Sequence, residues 1–177
     1  WTYRTLKNTG VIILKQNRLA AFFAVTILLW LAFIFGCSAK TAPESSVQSK
    51  SATRAFLEIA DKSFDSLTEA QQQDRISKVD HFVRKAAHMF LYAVLGVLSM
   101  CFFTVIAKYK PPYNALYTII FCMLYAATDE FHQLFVPGRG AQVRDVVIDT
   151  CGSLIGTAVF LLIMHAVNRR KANRANP

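Results

Sequence analysis

The chain has 177 residues, of which 54% are hydrophobic and 18% are charged, and its net charge is +9. A soluble domain of this length carries more charge and shorter apolar runs, so the composition predicts a polytopic membrane protein and excludes an ordinary soluble domain. The positive charge does not indicate nucleic-acid binding, because no basic folded face with base-reading residues accompanies it. We therefore expect membrane lipids, and no nucleic acid, as partners.

The sequence predicts an all-α fold, a bundle of four transmembrane helices, because four segments reach the roughly 20 apolar residues that cross a bilayer. They are Leu19–Cys37, Ala86–Ala107, Tyr113–Val136 and Val146–Val167. The length of the first segment favours an uncleaved span over a removed signal peptide. The predicted divisions are a basic segment with the first span (1–37), a loop (38–83), a three-helix membrane core (84–167) and a basic tail (168–177).

The region between the first two spans is the part expected to lie outside the membrane. Residues 38–51 are rich in Ser and contain Pro43, which is typical of a loop. An amphipathic helix is predicted over residues 52–73 from four residues at helical spacing: Phe56, Ala60, Phe64 and Leu67. That helix either lies at the membrane interface or packs on the bundle as a lid, and we favour packing. Ser77 is a candidate N-cap for the next helix.

The distribution of Lys and Arg predicts the orientation of the spans. If both termini are cytoplasmic, that side holds ten basic residues and no acid, and all 11 acids fall elsewhere. The ten are Arg4, Lys7, Lys15, Arg18, Lys108, Lys110, Arg169, Arg170, Lys171 and Arg174. Because basic residues favour the cytoplasmic side, we expect cytoplasmic N- and C-termini. Turns containing Pro, at Lys108–Pro112 and Val136–Gly140, separate the last three spans.

Two polar clusters lie at the extracytoplasmic ends of the spans in this topology. The first opens the second span with Arg84, Lys85, His88 and Tyr92. The second extends over residues 129–156, where charged residues border two apolar segments. A charge near hydrocarbon costs about 2.5–3.5 kcal/mol, so it usually has a partner and a function. We therefore expect the two clusters to meet in space and form one site.

The residue types in these clusters suit acid–base chemistry and the binding of an anion. The candidate catalytic residues are His88, Asp129, Glu130, His132 and Asp145. The candidate ligand-binding residues are Arg84, Lys85, Tyr92, Gln133, Arg139, Arg144 and Asp149. Arginine can hold a phosphate or a carboxylate through two parallel hydrogen bonds. Helical spacing places three of the candidates on one face of the third span, namely Asp129, His132 and Gln133.

Several alternatives stay open from the residues alone. The His and carboxylate side chains would suit a divalent metal as well as acid–base work, and the cofactor is not identifiable. Thr150 and Ser153 are possible nucleophiles, but no Ser-His-Asp arrangement surrounds them. The charged residues could instead form ion pairs that only lock the bundle. Asp80 and His81 are expected just outside the membrane, and the four Cys, at unrelated spacings, are expected to be packing residues.

The three polar motifs, taken together, resemble the VanZ-like family over about residues 80–162. They read Arg84-Lys85-x-x-His88-x-x-x-Tyr92-x-x-Leu95-Gly96, then Asp129-Glu130-x-His132-Gln133-x-Phe135-Val136-Pro137-Gly138-Arg139, then Asp145-Val146-x-x-Asp149-Thr150-x-Gly152-x-x-x-Gly156. Asp149 stands where this pattern more usually has Asn, which adds a charge at that position.

The resemblance implies a bacterial plasma-membrane protein. The founding member of the family is linked to resistance to teicoplanin, a lipidated glycopeptide antibiotic that targets cell-wall precursors. The resemblance therefore implies an extracytoplasmic site that handles an anionic lipid, a lipid-linked cell-wall precursor or a lipoglycopeptide. The alternative is a membrane-embedded hydrolase or transferase that acts on lipid head groups of the outer leaflet. Whether the protein is an enzyme is left open.

Overall fold

The computed structural model describes residues 2–107 and 110–175, with side chains from residue 13 onward except Ala42. Within these ranges the chain forms five α-helices, a short 3₁₀ turn and no strand, which confirms the all-α prediction. The helices are α1 (Thr2–Ser38), α2 (Ala42–Ala60), α3 (Glu69–Ile106), α4 (Pro111–Gln133) and α5 (Val143–Ala175). The predicted turn at residues 108–112 falls partly on residues 108 and 109, which lie outside the described residues.

Three helices in the described chain are long and apolar enough to cross a membrane. They are Ile13–Ser38 within α1, the whole of α3 and the whole of α5. α4 has 23 residues, so it is about 34 Å long and could also span the roughly 30 Å hydrocarbon layer. It has no stretch as long and as apolar as those of the other three, because polar residues lie near both of its ends, among them Asn114, Asp129 and Glu130. The fourth span therefore stays a prediction.

The boundaries predicted for the amphipathic helix and its preceding loop were wrong. α2 begins at Ala42, inside the predicted loop, because the Thr41 backbone N–H donates to Glu44 Oε2 at 3.0 Å and Pro43 occupies the first turn. It ends at Ala60, because the next residues form a turn in which the Ser63 N–H and hydroxyl donate to Asp61 Oδ1. The predicted single helix over 52–73 is thus two helices joined by a turn.

α2 packs against the beginning of α3, in keeping with the predicted packing helix. Leu57 of α2, Phe64 of the 3₁₀ turn and Ile76 of α3 form a small buried cluster. The predicted apolar face was partly wrong, because Phe56 is 54% exposed whereas the neighbouring Leu57 is buried. α2 therefore still presents apolar side chains outward.

α3 begins earlier than predicted and continues without a break into the second predicted span. Its N-cap is Thr68, whose backbone N–H donates to Gln71 Oε1 at 3.0 Å. Ser77 lies inside the helix and caps nothing, so that expectation was wrong. At 38 residues α3 is about 57 Å long, so its polar first part extends well beyond the hydrocarbon layer.

α3 is the central helix of the bundle and contacts each of the other four. α4 and α5 pack on α3 and on each other, and α1 lies mainly along α3. α1 is held at several levels: Trp30 Nε1 donates to the Leu91 carbonyl at 3.0 Å, and the Tyr125 hydroxyl donates to the Leu31 carbonyl at 2.6 Å. α4 therefore contacts α1, α3 and α5.

Glycines set the close contact between α3 and α5. A Cβ added at Gly152 would overlap the Met89 carbonyl, and one at Gly156 would overlap the Ala93 carbonyl. On the other side of the contact, a Cβ at Gly96 would lie 2.6 Å from the Ser153 carbonyl oxygen. The Gly-x-x-x-Gly motif of α5 is therefore a packing face inside the bundle, where small residues let two backbones approach.

Candidate functional site

A polar cavity of about 230 Å³ lies where α3, α4 and α5 meet the connection between α4 and α5. Its lining residues come from four consecutive parts of the chain: His81, Arg84, Lys85 and His88; Glu130 and Gln133; Gly138, Arg139, Gly140 and Gln142; and Asp145, Ile148 and Asp149. Nearly all of these side chains are polar or charged, whereas the outer faces of the helices are apolar. This contrast makes the cavity the candidate site.

The cavity brings both predicted polar clusters together. Eight of the twelve candidate residues line it, namely Arg84, Lys85, His88, Glu130, Gln133, Arg139, Asp145 and Asp149. They converge because the polar segment of α3 at residues 81–88 lies beside the end of α4 and the beginning of α5. Their catalytic and ligand-binding roles remain predictions.

Two candidates on α4 face α1 instead of the cavity. The Ser38 hydroxyl donates to Asp129 Oδ2 at 2.7 Å, and the His132 ring stacks on Phe35 with centroids 4.3 Å apart. Asp129 Oδ1 and His132 Nε2 are buried without a hydrogen-bond partner in the described chain. Asp129 and His132 thus contact α1, whereas Gln133 lines the cavity. The face predicted to be shared by all three meets two different surroundings.

The remaining two candidates lie below and beside the cavity. Tyr92 is fully buried one turn beyond His88, and its ring centroid is 6.2 Å from that of Tyr125. Arg144 is exposed at the start of α5 and does not line the cavity. The structure therefore supports Tyr92 as part of the core beneath the site and places Arg144 outside it.

Two of the three cavity cations have carboxylate partners. Arg84 Nη2 donates to Asp80 Oδ2 at 2.8 Å, and Lys85 forms an ion pair with Asp145 on α5. Asp80 in turn accepts a 3.4 Å hydrogen bond from the Thr53 hydroxyl, so α2 is connected to Arg84 through a buried acid. Arg84 nevertheless keeps its Nε buried without a partner in the described chain. Part of its hydrogen-bonding capacity is thus unused within the described chain.

The connection between α4 and α5 is folded over the cavity by Glu130. The Gln142 backbone N–H donates to Glu130 Oε2 at 2.8 Å. Gly138 has φ 78°, a left-handed conformation that glycine adopts without strain, and the Arg139 N–H donates to the Val136 carbonyl at 3.1 Å. This tight turn places the Arg139 side chain over the cavity.

Arg139 differs from the other two cavity cations because no ion pair in the described chain includes it. Burial lowers the pKa of the Arg139 guanidinium, and the like charge of Arg84 adds to this effect, whereas Asp129 and Glu130 oppose it. Arginine stays protonated in proteins, so the charge persists despite this cost. A bound anion would supply the counter-charge.

Acid–base groups face the same cavity as these cations. Asp149 of α5 is buried, and no ion pair in the described part of the chain includes it. His88 of α3 lines the same space. Among the described side chains, no group of three or more His, Cys, Asp or Glu is placed to hold a metal ion. The arrangement can therefore bind an anion and exchange protons with it.

Sequence analysis missed several lining residues. His81 was placed just outside the membrane, although its spacing of three, four and seven from Arg84, Lys85 and His88 could have assigned it to their helical face. Gly138, Gly140 and Gln142 contribute through the path of the connection, and Ile148 is an ordinary apolar residue. The predicted turn at Val136–Gly140 contained the two glycines without assigning them to the site, and no local signal in the sequence distinguishes Gln142 and Ile148.

The family model described as VanZ/LLP1 matches residues 23–164, which is most of the chain. The chain belongs to the VanZ/LLP1 family. No curated protein and no solved structure matches the chain significantly. The resemblance to VanZ-like proteins is therefore confirmed.

The VanZ/LLP1 match is longer than the three motifs that carried the resemblance. It begins within α1 and ends within α5, so it contains α2 and every residue of the cavity. The α1 contacts with Asp129 and the α2 contact with Asp80 therefore lie within the VanZ/LLP1 unit. Together with three apolar helices of membrane-spanning length, the match indicates a VanZ-family membrane protein.

Proposed function

We propose that this VanZ/LLP1 protein binds the anionic head group of a lipid or lipid-linked molecule in the cavity at the outer surface of the bacterial plasma membrane. The observation that carries the proposal is Arg139, a half-buried cation without an ion-pair partner in the described chain. The partly unsatisfied Arg84 lines the same cavity. Arginine side chains that converge on one space suit phosphate or carboxylate oxygens.

The proposed membrane arrangement has four spans, α1, α3, α4 and α5, with both termini in the cytoplasm. The bias of Lys and Arg along the sequence supports this orientation. α2 and the cavity then lie on the extracytoplasmic side. A head group at the membrane surface could enter the cavity while its hydrocarbon chains remain among the outer-leaflet lipids.

The ligand classes that fit are an anionic phospholipid, a lipid-linked cell-wall precursor and a lipoglycopeptide antibiotic. All three join an anionic or hydrogen-bonding head to a hydrocarbon chain, which matches a polar cavity at the end of apolar helices. Family resemblance supports a role in tolerance of the glycopeptide teicoplanin. In that role, the cavity would bind the antibiotic or the precursor and alter access to the wall target.

The test compares two arginines that lie five residues apart. Arg139 lines the cavity, whereas Arg144 is exposed beside it, so Arg139→Gln and Arg144→Gln remove the same charge from different places. Native mass spectrometry of the purified proteins measures retention of an anionic phospholipid and of a lipid-linked wall precursor. We expect Arg139→Gln to weaken retention about tenfold or more, the loss of one charged hydrogen bond, and Arg144→Gln to retain wild-type affinity.

The same variants, at equal membrane levels in a sensitive bacterium, test the resistance role. Wild type and Arg144→Gln should raise tolerance of teicoplanin above the empty vector, and Arg139→Gln should not. Equal lipid retention by the two variants would rule out Arg139 as the ligand-binding cation. Retention that depends on Arg139 without any change in tolerance would assign the site to another envelope lipid.

A second candidate function is a hydrolase or transferase acting on the bound head group. It is favoured by Asp149, a buried carboxylate without an ion pair in the described chain, and by His88 in the same cavity. These groups could take and return a proton during the reaction. Asp149→Asn should then abolish conversion of a labelled outer-leaflet lipid while leaving its binding within severalfold. A lipid profile that wild-type protein leaves unchanged would exclude this function.

A further inference from the structure

A column of buried polar side chains follows the axis of the α3–α4–α5 bundle. On α4, Asn114, Thr118 and Cys122 are buried at four-residue spacing, and Ala126 continues the row to Glu130 at the cavity. A helix rises 1.5 Å per residue, so the distance from residue 114 to residue 130 is about 24 Å. The column therefore extends through most of a hydrocarbon layer of about 30 Å.

The other two helices add polar groups at matching levels. Asp149, Ser153 and Thr157 are buried on α5, each one turn from the next. Ser99 of α3 is buried as well, and its hydroxyl has no partner in the described chain, so three helices contribute polar groups to the column. Polar side chains thus line the bundle axis from several sides over successive turns.

Some of these polar atoms lack the hydrogen bonds that buried groups require. Tyr92 Oη, Asn114 Oδ1, Thr118 Oγ1 and Thr157 Oγ1 are buried without a partner in the described chain. A buried polar group left without a partner destabilises the fold, and lipid cannot supply one.

Other hydroxyls in the same bundle are satisfied in the ordinary way. Thr150 donates to the Val146 carbonyl at 2.7 Å, and Ser153 donates to the Thr150 carbonyl at 2.8 Å. Ser153, although part of the column, thus bonds its own helix as Thr150 does, so only the unpartnered atoms of the column need another explanation. The unsatisfied atoms need partners beyond the described part of the chain, and water is the small molecule that both donates and accepts.

We propose that this column holds a file of water molecules and conducts protons between the cavity and the opposite end of the bundle, near Asn114. A proton would enter through the carboxylates of Glu130 and Asp149. It would pass along waters and hydroxyl groups, each of which accepts one proton and releases another, so that no group is changed after transfer. This activity goes beyond head-group binding and requires that α4 cross the membrane.

The experiment measures proton flux through the purified full-length protein in phosphatidylcholine liposomes. A trapped pH-sensitive dye reports acidification when a potassium gradient with valinomycin makes the interior negative. The wild-type protein should acidify the interior several times faster than protein-free liposomes. Thr118→Val, which replaces an unpartnered hydroxyl with a methyl group, should lower the flux about tenfold, since one hydrogen-bonded link is lost.

Thr150→Val is the matched control, because it makes the same change where the hydroxyl bonds its own helix. It should leave the flux close to wild type. A wild-type flux equal to that of empty liposomes would overturn the proposal, and so would an equal loss in the two valine variants. Neither result depends on whether the cavity binds a lipid, so the proposed head-group function is tested separately.

Thermal unfolding in detergent adds an independent readout of hydration. If water satisfies Thr118, valine leaves that water without a partner, and the unfolding temperature should fall by about 2–4 °C, corresponding to one lost hydrogen bond. If the axis is dry, valine removes an unsatisfied hydroxyl and should raise the unfolding temperature. A rise in Thr118→Val would therefore overturn the water file even if some flux were seen.

Discussion

Asp129 and Glu130 are adjacent in the sequence, yet they connect the end of α4 to different parts of the molecule. Asp129 accepts a hydrogen bond from Ser38 on α1, whereas Glu130 accepts one from the Gln142 backbone in the connection to α5. Successive residues on a helix point about 100° apart, since a turn takes 3.6 residues. One pair of acids thus fixes both α1 and the turn that carries Arg139.

The contact between Ser38 and Asp129 predicts a measurable loss of stability. Ser38→Ala removes the hydrogen bond to Oδ2 of a carboxylate whose other oxygen already lacks a partner in the described chain. We expect unfolding to become about 1–3 kcal/mol more favourable, the usual cost of a buried polar group left unpaired. Thermal unfolding in detergent measures the change.

Thr26→Ala provides the control, because the Thr26 hydroxyl is exposed and bonds the Phe22 carbonyl of its own helix. This variant should unfold within about 0.5 kcal/mol of wild type, as surface substitutions usually do. If Ser38→Ala and Thr26→Ala unfold at the same temperature, the contact with Asp129 does not stabilise the bundle.

At the level of single residues, the sequence predicted which side chains belong to the site, but it did not predict which helices they contact. Charged and polar side chains in an apolar context identified eight of the lining residues, because such a group near hydrocarbon needs a specific reason. Helical spacing grouped Asp129, His132 and Gln133, but spacing cannot say which helix each edge of that face will meet. Gln133 meets the cavity and the other two meet α1.

The contact between α3 and α5 depends on glycine at the points where the two backbones are closest. Gly156 faces the Ala93 carbonyl, and a backbone atom cannot move aside as a flexible side chain can. Gly156→Ala should therefore push the helices apart and destabilise the protein by about 1–3 kcal/mol or more, the cost of overpacking. Thermal unfolding and gel filtration in detergent would detect it.

Gly36→Ala is the matched change in α1, where a Cβ would meet no atom within 4 Å. Alanine favours a helix over glycine by about 0.5–1 kcal/mol, so this variant should be as stable as wild type or slightly more stable. A Gly156→Ala variant as stable as Gly36→Ala would contradict the close approach of α3 and α5.

α2 contributes to the site without lining it, because its Thr53 hydroxyl donates to the Asp80 carboxylate that binds Arg84. Thr53→Val keeps the shape of the side chain and removes this hydrogen bond. We expect retention of the anionic lipid to fall severalfold, since Arg84 becomes less well oriented. Ser51→Ala, which removes an exposed hydroxyl bonded within α2, should leave retention unchanged. Equal retention by the two variants would exclude α2 as a positioning element.

The limits of α2 were the least predictable part of the fold. The sequence contains two capping boxes, Thr41 with Glu44 and Thr68 with Gln71, and both determine helix starts. The Ser-rich composition between the first box and the predicted helix obscured the first start. The apolar residues Phe56 and Phe64 suggested one continuous face, although Phe64 belongs to the turn that folds back onto α3.

For the whole molecule, long apolar segments predicted where helices occur, because each must satisfy its backbone hydrogen bonds within itself in lipid. The arrangement of the helices was not predictable, since it depends on pairings such as Gly152 with Met89 and Trp30 with Leu91. These pairings join residues 61 or more positions apart, and no local pattern specifies them. The two polar clusters were expected to meet only because a charge near hydrocarbon is costly and usually has a partner.

The last prediction concerns the orientation of the helix bundle in the membrane. With both termini cytoplasmic, a cysteine introduced at exposed Gln48 in α2 lies outside the cell and one introduced at exposed Arg170 in α5 lies inside. In a chain whose four native cysteines are replaced by alanine, Gln48→Cys should react with a membrane-impermeant maleimide in intact cells. Arg170→Cys should react only after the membrane is permeabilised.

A cysteine at a third position, Lys110, tests the number of spans. Exposed Lys110, before α4, should behave like Arg170 if α4 crosses the membrane, because two crossings, α4 and α5, then separate the two positions. If Gln48→Cys is labelled in intact cells, labelling of Arg170→Cys and not Lys110→Cys would show that α4 does not cross. Since Asn114 would then lie on the same side as the cavity, that result would remove the proton path while leaving the head-group site in place.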